Sequence, residues 1–366
     1  MAKPSENNLA QLPLVSIPEE QLGFFRSALL DWFAQFERAL PWRETKDPYK
    51  IWLSEVILQQ TQVAQGWDYY LKFIEKYPRV ENLAAAPEDE VLLMWQGLGY
   101  YSRALNLHHA AQQIVREHHG IFPSTAEEVS KLKGVGPYTT AAIMSIAYDQ
   151  PLAVVDGNVY RVMSRIGAYE VPIDKGYGQK FYKSVAETYL DKSHPSLYNQ
   201  AIMDLGAMIC TPRNPKCGEC PVAKYCESAH NVELTSLLPI KANSTKVVPL
   251  YMDYFLLLEG NGFYIEERDK RGIWKGLYQL PLIEHTEACL APEEAQEKMG
   301  ANWSFMESVT LPQHRLTHRL LNIQVHVFQG AFTESPSNYQ KHPISKHAQL
   351  AFPKPLRAFL DCYLKF

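Results

Sequence analysis

The sequence predicts a mainly α-helical N-terminal region followed by a smaller α+β domain at the C-terminus. From about residue 19 to residue 226, apolar residues recur at helical spacing, and prolines separate the periodic stretches. From about residue 248 the pattern changes to short segments rich in β-branched and aromatic residues, bounded by Gly, Asn and Pro. The 366 residues exceed the size of one typical hydrophobic core. We therefore expect two domains.

These changes of pattern give the domain boundaries. We expect a flexible polar tail over 1–18, a helical region over 19–229, and a linker over 230–247 that is rich in Asn, Ser and Pro. The α+β domain should occupy 248–366, with strands near 251–258, 262–266 and 321–328.

The composition is that of an ordinary globular protein, with 46% hydrophobic and 21% charged residues. The sequence has no run of eighteen apolar residues and no basic, apolar targeting segment at its start, so we expect a soluble, cytoplasmic protein without a membrane partner. A formal net charge of -4 gives no global sign of nucleic-acid binding. Any affinity for phosphate must come from local patches and oriented backbone amides.

Four cysteines are spaced as one ligand set. Cys210, Cys217, Cys220 and Cys226 are separated by six, two and five residues. Four thiolates suit zinc or an iron–sulfur cluster, and the single Cys-x-x-Cys pair favours a [4Fe-4S] cluster over a zinc ribbon. Disulfides are the alternative, but the crowding of the cysteines and the lack of a secretory signal argue against them.

Two short motifs lie before the cysteines in the helical region. The first places Gly134 and Gly136 around one valine between two predicted helices, where exposed backbone N–H groups can bind an anionic oxygen such as a DNA phosphate. Taken alone, this Gly-x-Gly also suits a plain helix–turn–helix corner. The second, Val-Asp-Gly-Asn, places Asp156 at the start of a helix, where it serves at least as an N-cap.

The hairpin, the Asp156 motif and the cysteine set, in this order, resemble the helix-hairpin-helix DNA glycosylases. In the bifunctional lyases of this class a lysine of the hairpin forms a Schiff base, whereas this chain has Tyr138, which cannot form an imine. Residues 40–43, 54–61 and 97–103 are similar to the adenine-specific (MutY-type) branch, which removes adenine opposite 8-oxoguanine. The resemblance covers nearly the whole chain.

The resemblance implies an architecture. It predicts a six-helix barrel over about 47–140 and an iron–sulfur domain built from 19–46 and 141–229, with the active site in the cleft between them. It also implies a bacterial, nucleoid-associated protein that is monomeric.

Cleavage of an N-glycosidic bond calls for an acid that protonates the base and an anion that stabilises the sugar cation. The resemblance assigns these roles to Glu55 and Asp156, with Tyr138 and Asn158 as positioning groups. An apolar setting, from Trp52 to Leu58, should raise the pKa of Glu55, and a helix N-terminus should keep Asp156 ionised. Without the motif, Glu55 would be taken for a surface carboxylate.

The resemblance also implies contacts with flipped adenine and duplex DNA. Gln60 and Tyr100 are expected to wedge into the duplex, and Arg213 and Lys216 in the cysteine loop to contact phosphates. The remaining expected base-pocket and DNA contacts are Trp42, Arg43, Leu58, Thr61 and Leu98, together with Gly134 and Gly136 of the hairpin.

The C-terminal domain resembles the Nudix-like domain of adenine glycosylases, most clearly over 272–281. Residues 287–300 lack the Arg-Glu…Glu-Glu pattern that holds magnesium, so no Nudix hydrolase activity is expected. The family's lesion-reading loop is Phe-Ser-His, and here it reads Leu316, Thr317, His318. The aromatic residue is lost, while the hydroxyl and the imidazole are kept.

The sequence therefore predicts a monofunctional adenine DNA glycosylase of base excision repair, acting on A:8-oxoguanine and A:G pairs in double-stranded DNA. Two alternatives stay open, a thymine-mismatch or endonuclease III-like enzyme and a non-catalytic iron–sulfur DNA-binding protein. A clamp or mismatch-repair partner could dock at the linker.

Overall fold

The computed structural model describes residues 12–243, 246–268, 272–334 and 338–364. The described residues form two compact units. The first holds the residues up to Ala84 and those from His109 to 243, and the second holds Ala85–His108 and the residues from 246 onwards. None of the described helices has the length and apolar character needed to cross a bilayer.

Most of the first unit is helical, as predicted. The α-helices of the chain are α1 Leu22–Phe36, α2 Pro48–Leu58, α3 Val63–Lys76, α4 Val80–Ala85, α5 Glu88–Met94, α6 Ser102–His118, α7 Ala126–Lys131, α8 Pro137–Tyr148, α9 Gly157–Ile166, α10 Gly176–Tyr189, α11 Pro195–Met208, α12 Val232–Leu237, α13 Pro292–Met299 and α14 Lys354–Tyr363. Single turns of 3-10 helix lie at Glu19–Gln21, Pro41–Arg43, Cys217–Glu219 and Ala223–Tyr225, and a longer one at Ile344–Gln349.

The predicted hairpin joins α7 to α8. Gly134 has a φ of 77°, a left-handed conformation that favours glycine. Gly136 is the N-cap of α8, and Pro137 takes the first helical position, where its missing N–H costs nothing. An added Cβ at Gly136 would meet no atom within 4 Å, so the approach to the N-terminus of α8 is open.

Helices α9 and α11 approach closely at a glycine. A Cβ added at Gly206 of α11 would lie 2.6 Å from the Cβ of Asn158 in α9. Only a residue without a side chain fits this crossing. The crossing fixes the start of α9, where the predicted Asp156 and Asn158 lie, against the helix that leads into the cysteine loop.

Two segments differ from their predicted character. Residues 1–11 of the predicted tail lie outside the described residues, but Ser16 contacts the first unit, with its hydroxyl 3.2 Å from the Tyr189 hydroxyl. The predicted linker contains α12, whose N-cap Asn231 accepts from Leu234 N at 3.1 Å, and Asp174 accepts from Ala242 N at 2.8 Å. The sequence predicted a linker from its Asn, Ser and Pro residues, and Asn231 in it caps a helix.

The described residues of the second unit form an eight-stranded sheet. Its strands are β1 Val248–Glu259, β2 Gly262–Glu267, β3 Tyr278–Gln279, β4 Leu282–His285, β5 Trp303–Thr310, β6 His314–Arg315, β7 Arg319–Gly330 and β8 Gln340–Pro343. The main path runs β3-β2-β1-β7-β5, with β1 and β7 parallel and the other pairs antiparallel. The α+β class and the three predicted strands are confirmed, and β1 and β7 extend beyond their predicted ends.

One face of the sheet carries an apolar core that includes Leu256, Val325 and Leu360 of α14. The opposite face carries a buried polar group as well. Asp253 Oδ1 lies 2.9 Å from His326 Nε2, and Asp253 Oδ2 lies 3.3 Å from His285 Nε2. The Ser308 hydroxyl is 2.6 Å from the other ring nitrogen of His326. Strands β5, β7 and β1 are thereby joined by side-chain as well as backbone hydrogen bonds.

Residues 85–108 belong to the second unit, although the sequence placed them in the helical barrel. Tyr278 donates to Asp89 at 3.0 Å, and Gln96 donates to the carbonyl of Phe352 at 3.2 Å. Such contacts join side chains far apart in the sequence, so the helical periodicity of 85–108 gave no sign of them.

Candidate active site

The four residues predicted to be catalytic meet in one cavity of the first unit. Glu55 of α2, Tyr138 of α8, and Asp156 and Asn158 at the start of α9 line a space of about 540 Å³. This is the size of a pocket that binds a small organic molecule, and it exceeds the volume of a purine base.

Glu55 is the buried acid of this cavity. The side chains on both sides of it are buried, and Glu55 itself is 8% exposed, which excludes a surface carboxylate. Burial raises the pKa of Glu55 from 4.5 to about 7, with the hydrogen bond from Tyr138 acting in the opposite direction and the negative Asp156 adding to the rise. The predicted direction of the shift agrees with this environment.

Tyr138 is the partner of that acid. It is the second residue of α8 and donates its hydroxyl to Glu55 Oε2 at 2.6 Å, with Met203 Sδ at 3.6 Å. Burial raises the pKa of Tyr138 well above its ordinary value, and the nearby Glu55 adds to the rise. Tyr138 therefore stays a hydrogen-bond donor.

Asp156 is the N-cap of α9, as the sequence predicted. Its Oδ1 accepts from Val159 N at 2.7 Å and its Oδ2 from Asn158 Nδ2 at 3.0 Å. Burial nevertheless raises the pKa of Asp156, and these hydrogen bonds only oppose the rise. The direction is opposite to that expected from a helix N-terminus alone, because the sequence did not show that the cap faces a cavity.

Arg161 connects this carboxylate to the cysteine loop. Its guanidinium donates to Asn158 Oδ1 at 2.8 Å, to the Gly206 carbonyl at 2.7 Å and to the Cys210 carbonyl at 2.7 Å. Asn158 in turn donates to Asp156. Arg161 was not predicted, since one arginine in a helix carries no signal of its own.

A second charged group was also missed. Asp204 of α11 is fully buried. Its two carboxylate oxygens accept hydrogen bonds from the two terminal nitrogens of Arg43, each at 2.9 Å, and Arg38 binds the same carboxylate. Although burial acts to raise the pKa of Asp204, the two arginines hold it below its usual value. Both arginines line the cavity. A lone aspartate within an apolar helix is the signal that could have identified it.

The predicted walls of the base pocket lie around the same cavity. Trp42, Arg43, Leu58, Gln60 and Thr61 all line it. The Trp42 ring lies edge-on to Tyr70 at 5.3 Å, which fixes its plane. Gln60 follows the end of α2 with a φ of 55°, a strained conformation that is common at functional sites.

The four cysteines line a separate small cavity of the first unit. Arg165, which is 2% exposed, directs its guanidinium to Cys210 Sγ at 3.3 Å and to the carbonyls of Thr211 and Thr235. A buried guanidinium thus lies against the first cysteine of the set. Arg213 and Lys216 are exposed in the same loop, and Lys216 lies 3.5 Å from Glu219.

The remaining predicted DNA contacts lie in the second unit. Tyr100 is 49% exposed with a φ of 47°, and its hydroxyl is 2.6 Å from that of Thr317. Thr317 and His318 are exposed at the turn between β6 and β7, whereas Leu316 packs against the apolar core. Leu98 is buried. The two leucines therefore support the turns rather than face solvent.

Three family models match the chain. The model of the HhH-GPD superfamily base excision DNA repair proteins matches residues 53–185, that of the iron-sulfur binding domain of endonuclease III residues 210–226, and that of the NUDIX domain residues 253–362. The fold and the cavity thus belong to a helix-hairpin-helix glycosylase of base excision repair with an iron–sulfur binding motif and a Nudix-like domain.

Relatives that match most of the chain identify the family within this class. An adenine DNA glycosylase of Buchnera aphidicola subsp. Baizongia pistaciae is 38% identical over 259 residues, which are 70% of this chain and 73% of that protein. One of Buchnera aphidicola subsp. Acyrthosiphon pisum is 30% identical over 348 residues, 93% of this chain and 98% of that protein. The chain belongs to the adenine DNA glycosylase family, and it is an enzyme.

A solved structure shares the fold of the helical part. A thermostable thymine-DNA glycosylase is 33% identical, with a TM-score of 0.53, over 57% of this chain and 96% of that chain.

The buried ion pairs of Asp204 give a first prediction. Asp204→Asn leaves two guanidinium groups without a charged partner, and we expect it to lower the free energy of unfolding by about 3 kcal/mol at pH 7. Because the folded-state pKa of Asp204 is depressed, this difference should shrink as the pH falls below about 4. Urea unfolding at pH 7 and pH 3.5 measures both values.

Asp149→Asn is the matched control. Asp149 pairs with Lys46 at 3.5 Å, but both side chains are more than half exposed. We expect a change of less than about 0.5 kcal/mol for this exposed pair. Equal effects of the two substitutions would show that Asp204 is not the anchor of Arg38 and Arg43.

Proposed function

We propose that the protein removes adenine mispaired with 8-oxoguanine, or with guanine, from duplex DNA by acid-assisted hydrolysis of the N-glycosidic bond. The observation that supports this most directly is a carboxyl group with a pKa of about 7 facing a second carboxylate across a cavity that can hold a base. The family membership adds adenine as the base.

Glu55 acts as the general acid. With a pKa of about 7, a large fraction of Glu55 is protonated at neutral pH, and an acid is most effective when its pKa lies near the working pH. It protonates adenine at a nitrogen of the imidazole ring, which converts a poor leaving group into a good one. Tyr138 fixes the carboxyl group by its 2.6 Å hydrogen bond to Oε2.

Asp156 is the anion that stabilises the developing sugar cation or bonds briefly to the sugar carbon. Val159 N–H and the Asn158 amide hold both of its oxygens, so the carboxylate is oriented before substrate arrives. Preorganisation of this kind lowers the free energy of the transition state without reorganisation during the reaction.

DNA binding places the base in the cavity. The adenine has to leave the stack, because its glycosidic bond is inaccessible within the duplex. Gln60 and Tyr100, both in left-handed conformations on exposed turns, fill the gap. The N-terminus of α8 beyond Gly136 binds a phosphate, as do Arg213 and Lys216. Trp42, Arg43, Leu58 and Thr61 form the walls around the flipped base.

The turn between β6 and β7 reads the opposite base. Thr317 and His318 are both exposed there and offer a hydroxyl and an imidazole to the edge of 8-oxoguanine. Leu316 packs inward against the apolar core. We infer that it anchors the turn, where the family has an aromatic residue.

The cofactor is proposed to be a [4Fe-4S] cluster. Four thiols, those of the predicted ligand set, surround one cavity. Four cysteine thiolates with a single Cys-x-x-Cys pair suit an iron–sulfur cluster. When bound, the cluster supplies a rigid anchor for the loop that carries Arg213 and Lys216, and these residues dock the phosphates.

The substrate assignment can be tested with 30-residue duplexes that contain A opposite 8-oxoguanine, A opposite G, T opposite G, or 8-oxoguanine opposite C. After incubation, alkali cleaves the abasic sites. We expect breakage of the A strand only, fastest opposite 8-oxoguanine. Breakage of the T strand, or a covalent adduct trapped by borohydride, would instead favour the thymine-mismatch or lyase alternative.

The acid role of Glu55 predicts that Glu55→Gln lowers the activity but raises the stability of the fold. Glu55→Gln should lower the single-turnover rate by about 10²-fold or more, because the acid is lost. The same change should stabilise the fold above pH 7, where the folded protein carries the cost of ionising a buried carboxyl. A rise of the pKa from 4.5 to about 7 corresponds to about 3 kcal/mol at most.

This gain should disappear below about pH 3.5, where Glu55 is protonated in both the folded and the unfolded protein. Thermal unfolding at the two pH values measures it. Full activity of Glu55→Gln would contradict the proposed mechanism.

The hydrogen bond from Tyr138 gives a pH prediction. Since this bond lowers the pKa of Glu55, Tyr138→Phe should raise that pKa above about 7. The rate falls on the alkaline side as Glu55 loses its proton, so the alkaline limb of the pH–rate profile should move to higher pH in the variant.

Tyr160→Phe is the control for this shift. Tyr160 lines the same cavity, and among the described contacts it donates to neither Glu55 nor Asp156. Its alkaline limb should stay where it is in the unchanged protein. A limb that does not move in Tyr138→Phe would mean that another group governs it.

A further inference from the structure

Ser228 presents a buried hydroxyl without a partner. The residue is 0% exposed, and its Oγ has no hydrogen-bond partner within the part of the chain that the structure describes. An unsatisfied buried hydroxyl destabilises the folded state. Such a group in a natural protein calls for an explanation, and a bound group that supplies an acceptor is one.

Ser228 lies beside the four cysteines of the predicted ligand set. Ser228 is two residues after Cys226 and lines the small cavity that the four cysteines surround. Its backbone N–H is already engaged, since it donates to the Arg165 carbonyl at 3.2 Å and also faces the Cys226 sulfur. Only the side-chain hydroxyl is left over, beside the sulfur atoms.

The other polar groups of this cavity are committed elsewhere. Thr235 also lines it, but its hydroxyl donates to the Asn231 carbonyl at 2.9 Å and lies 3.2 Å from the Val232 carbonyl. The Arg165 guanidinium donates to backbone carbonyls besides its contact with Cys210 Sγ. Among the hydroxyl and guanidinium groups that line this cavity, the Ser228 hydroxyl is the one without a hydrogen-bond partner in the described residues.

We propose that the Ser228 hydroxyl donates a hydrogen bond to a sulfur of the bound iron–sulfur cluster, either a cysteine thiolate or a bridging sulfide, and thereby sets its reduction potential. The inference rests on the proposed [4Fe-4S] cofactor. A hydrogen bond to sulfur stabilises the more negatively charged, reduced form, so it raises the potential. Arg165 acts in the same direction from the Cys210 side.

The test uses the full-length protein with its cluster, which visible absorbance verifies first. The midpoint potential of the cluster is then measured by voltammetry for the unchanged protein, Ser228→Ala and Thr235→Val. We expect Ser228→Ala to shift the potential to more negative values by up to about 59 mV, tenfold in the one-electron equilibrium constant. Thr235→Val, whose hydroxyl serves the backbone, should leave the potential unchanged.

A second measurement does not depend on the size of that shift. After oxidation in D₂O, electron–nuclear double resonance of the paramagnetic cluster should show an exchangeable deuteron near sulfur that is absent from Ser228→Ala. Ser228→Gly removes the same hydroxyl and should match Ser228→Ala in both measurements, which guards against an effect of the alanine methyl group.

The outcomes separate the two proposals. A protein that never shows cluster absorbance would overturn the cofactor proposal and this inference with it. A loaded protein in which Ser228→Ala keeps the potential and the deuteron signal would overturn the inference alone. Lower thermal stability without a shift in potential would do the same, because it would assign the hydroxyl to a buried water or a purely structural role.

Discussion

Two buried arginines of α9 hold the geometry of the candidate active site in place. Arg161 and Arg165 lie one turn apart on the same helix, and both direct their guanidinium groups at the start of the cysteine loop. Asp156 caps the N-terminus of this helix, and the Asn158 side-chain oxygen accepts a hydrogen bond from Arg161. The orientation of the proposed catalytic carboxylate therefore depends on the same side chains that fix the loop around Cys210. A chain of hydrogen bonds therefore runs from the Cys210 carbonyl through Arg161 and Asn158 to Asp156.

The sequence could predict the residues whose roles are local. The N-cap role of Asp156 follows from its place before a helix, and the left-handed Gly134 follows from a tight turn. Glu55 and Tyr138 were brought together only by resemblance, since 83 residues separate them and no periodicity links α2 to α8. The family resemblance supplied a long-range contact that propensity cannot give.

Two of the residues that escaped prediction, Arg161 and Asp204, have partners that lie far away in the sequence. Arg161 donates to four oxygens, including the carbonyls of Gly206 and Cys210, and Asp204 accepts from two arginines more than 160 residues away. The Ser228 hydroxyl was missed for the opposite reason, because it lacks a protein partner altogether in the described chain. Side-chain type and spacing carry neither kind of information. The membership of 85–108 in the second unit was hidden in the same way.

The two carboxylates of the cavity depend on each other. Burial raises the pKa of both, and the negative charge of Asp156 raises that of Glu55 further. Two buried carboxyl groups that interact in this way take up their protons as a pair. The hydrogen bonds from Val159 and Asn158, together with the charge of Arg161, act on Asp156 and favour its ionised form. The ionised Asp156 then favours the protonated form of Glu55. The contacts of Asp156 and its charge on Glu55 thus push the proton affinities of the two carboxyl groups apart, while the Tyr138 hydrogen bond acts in the opposite direction on Glu55.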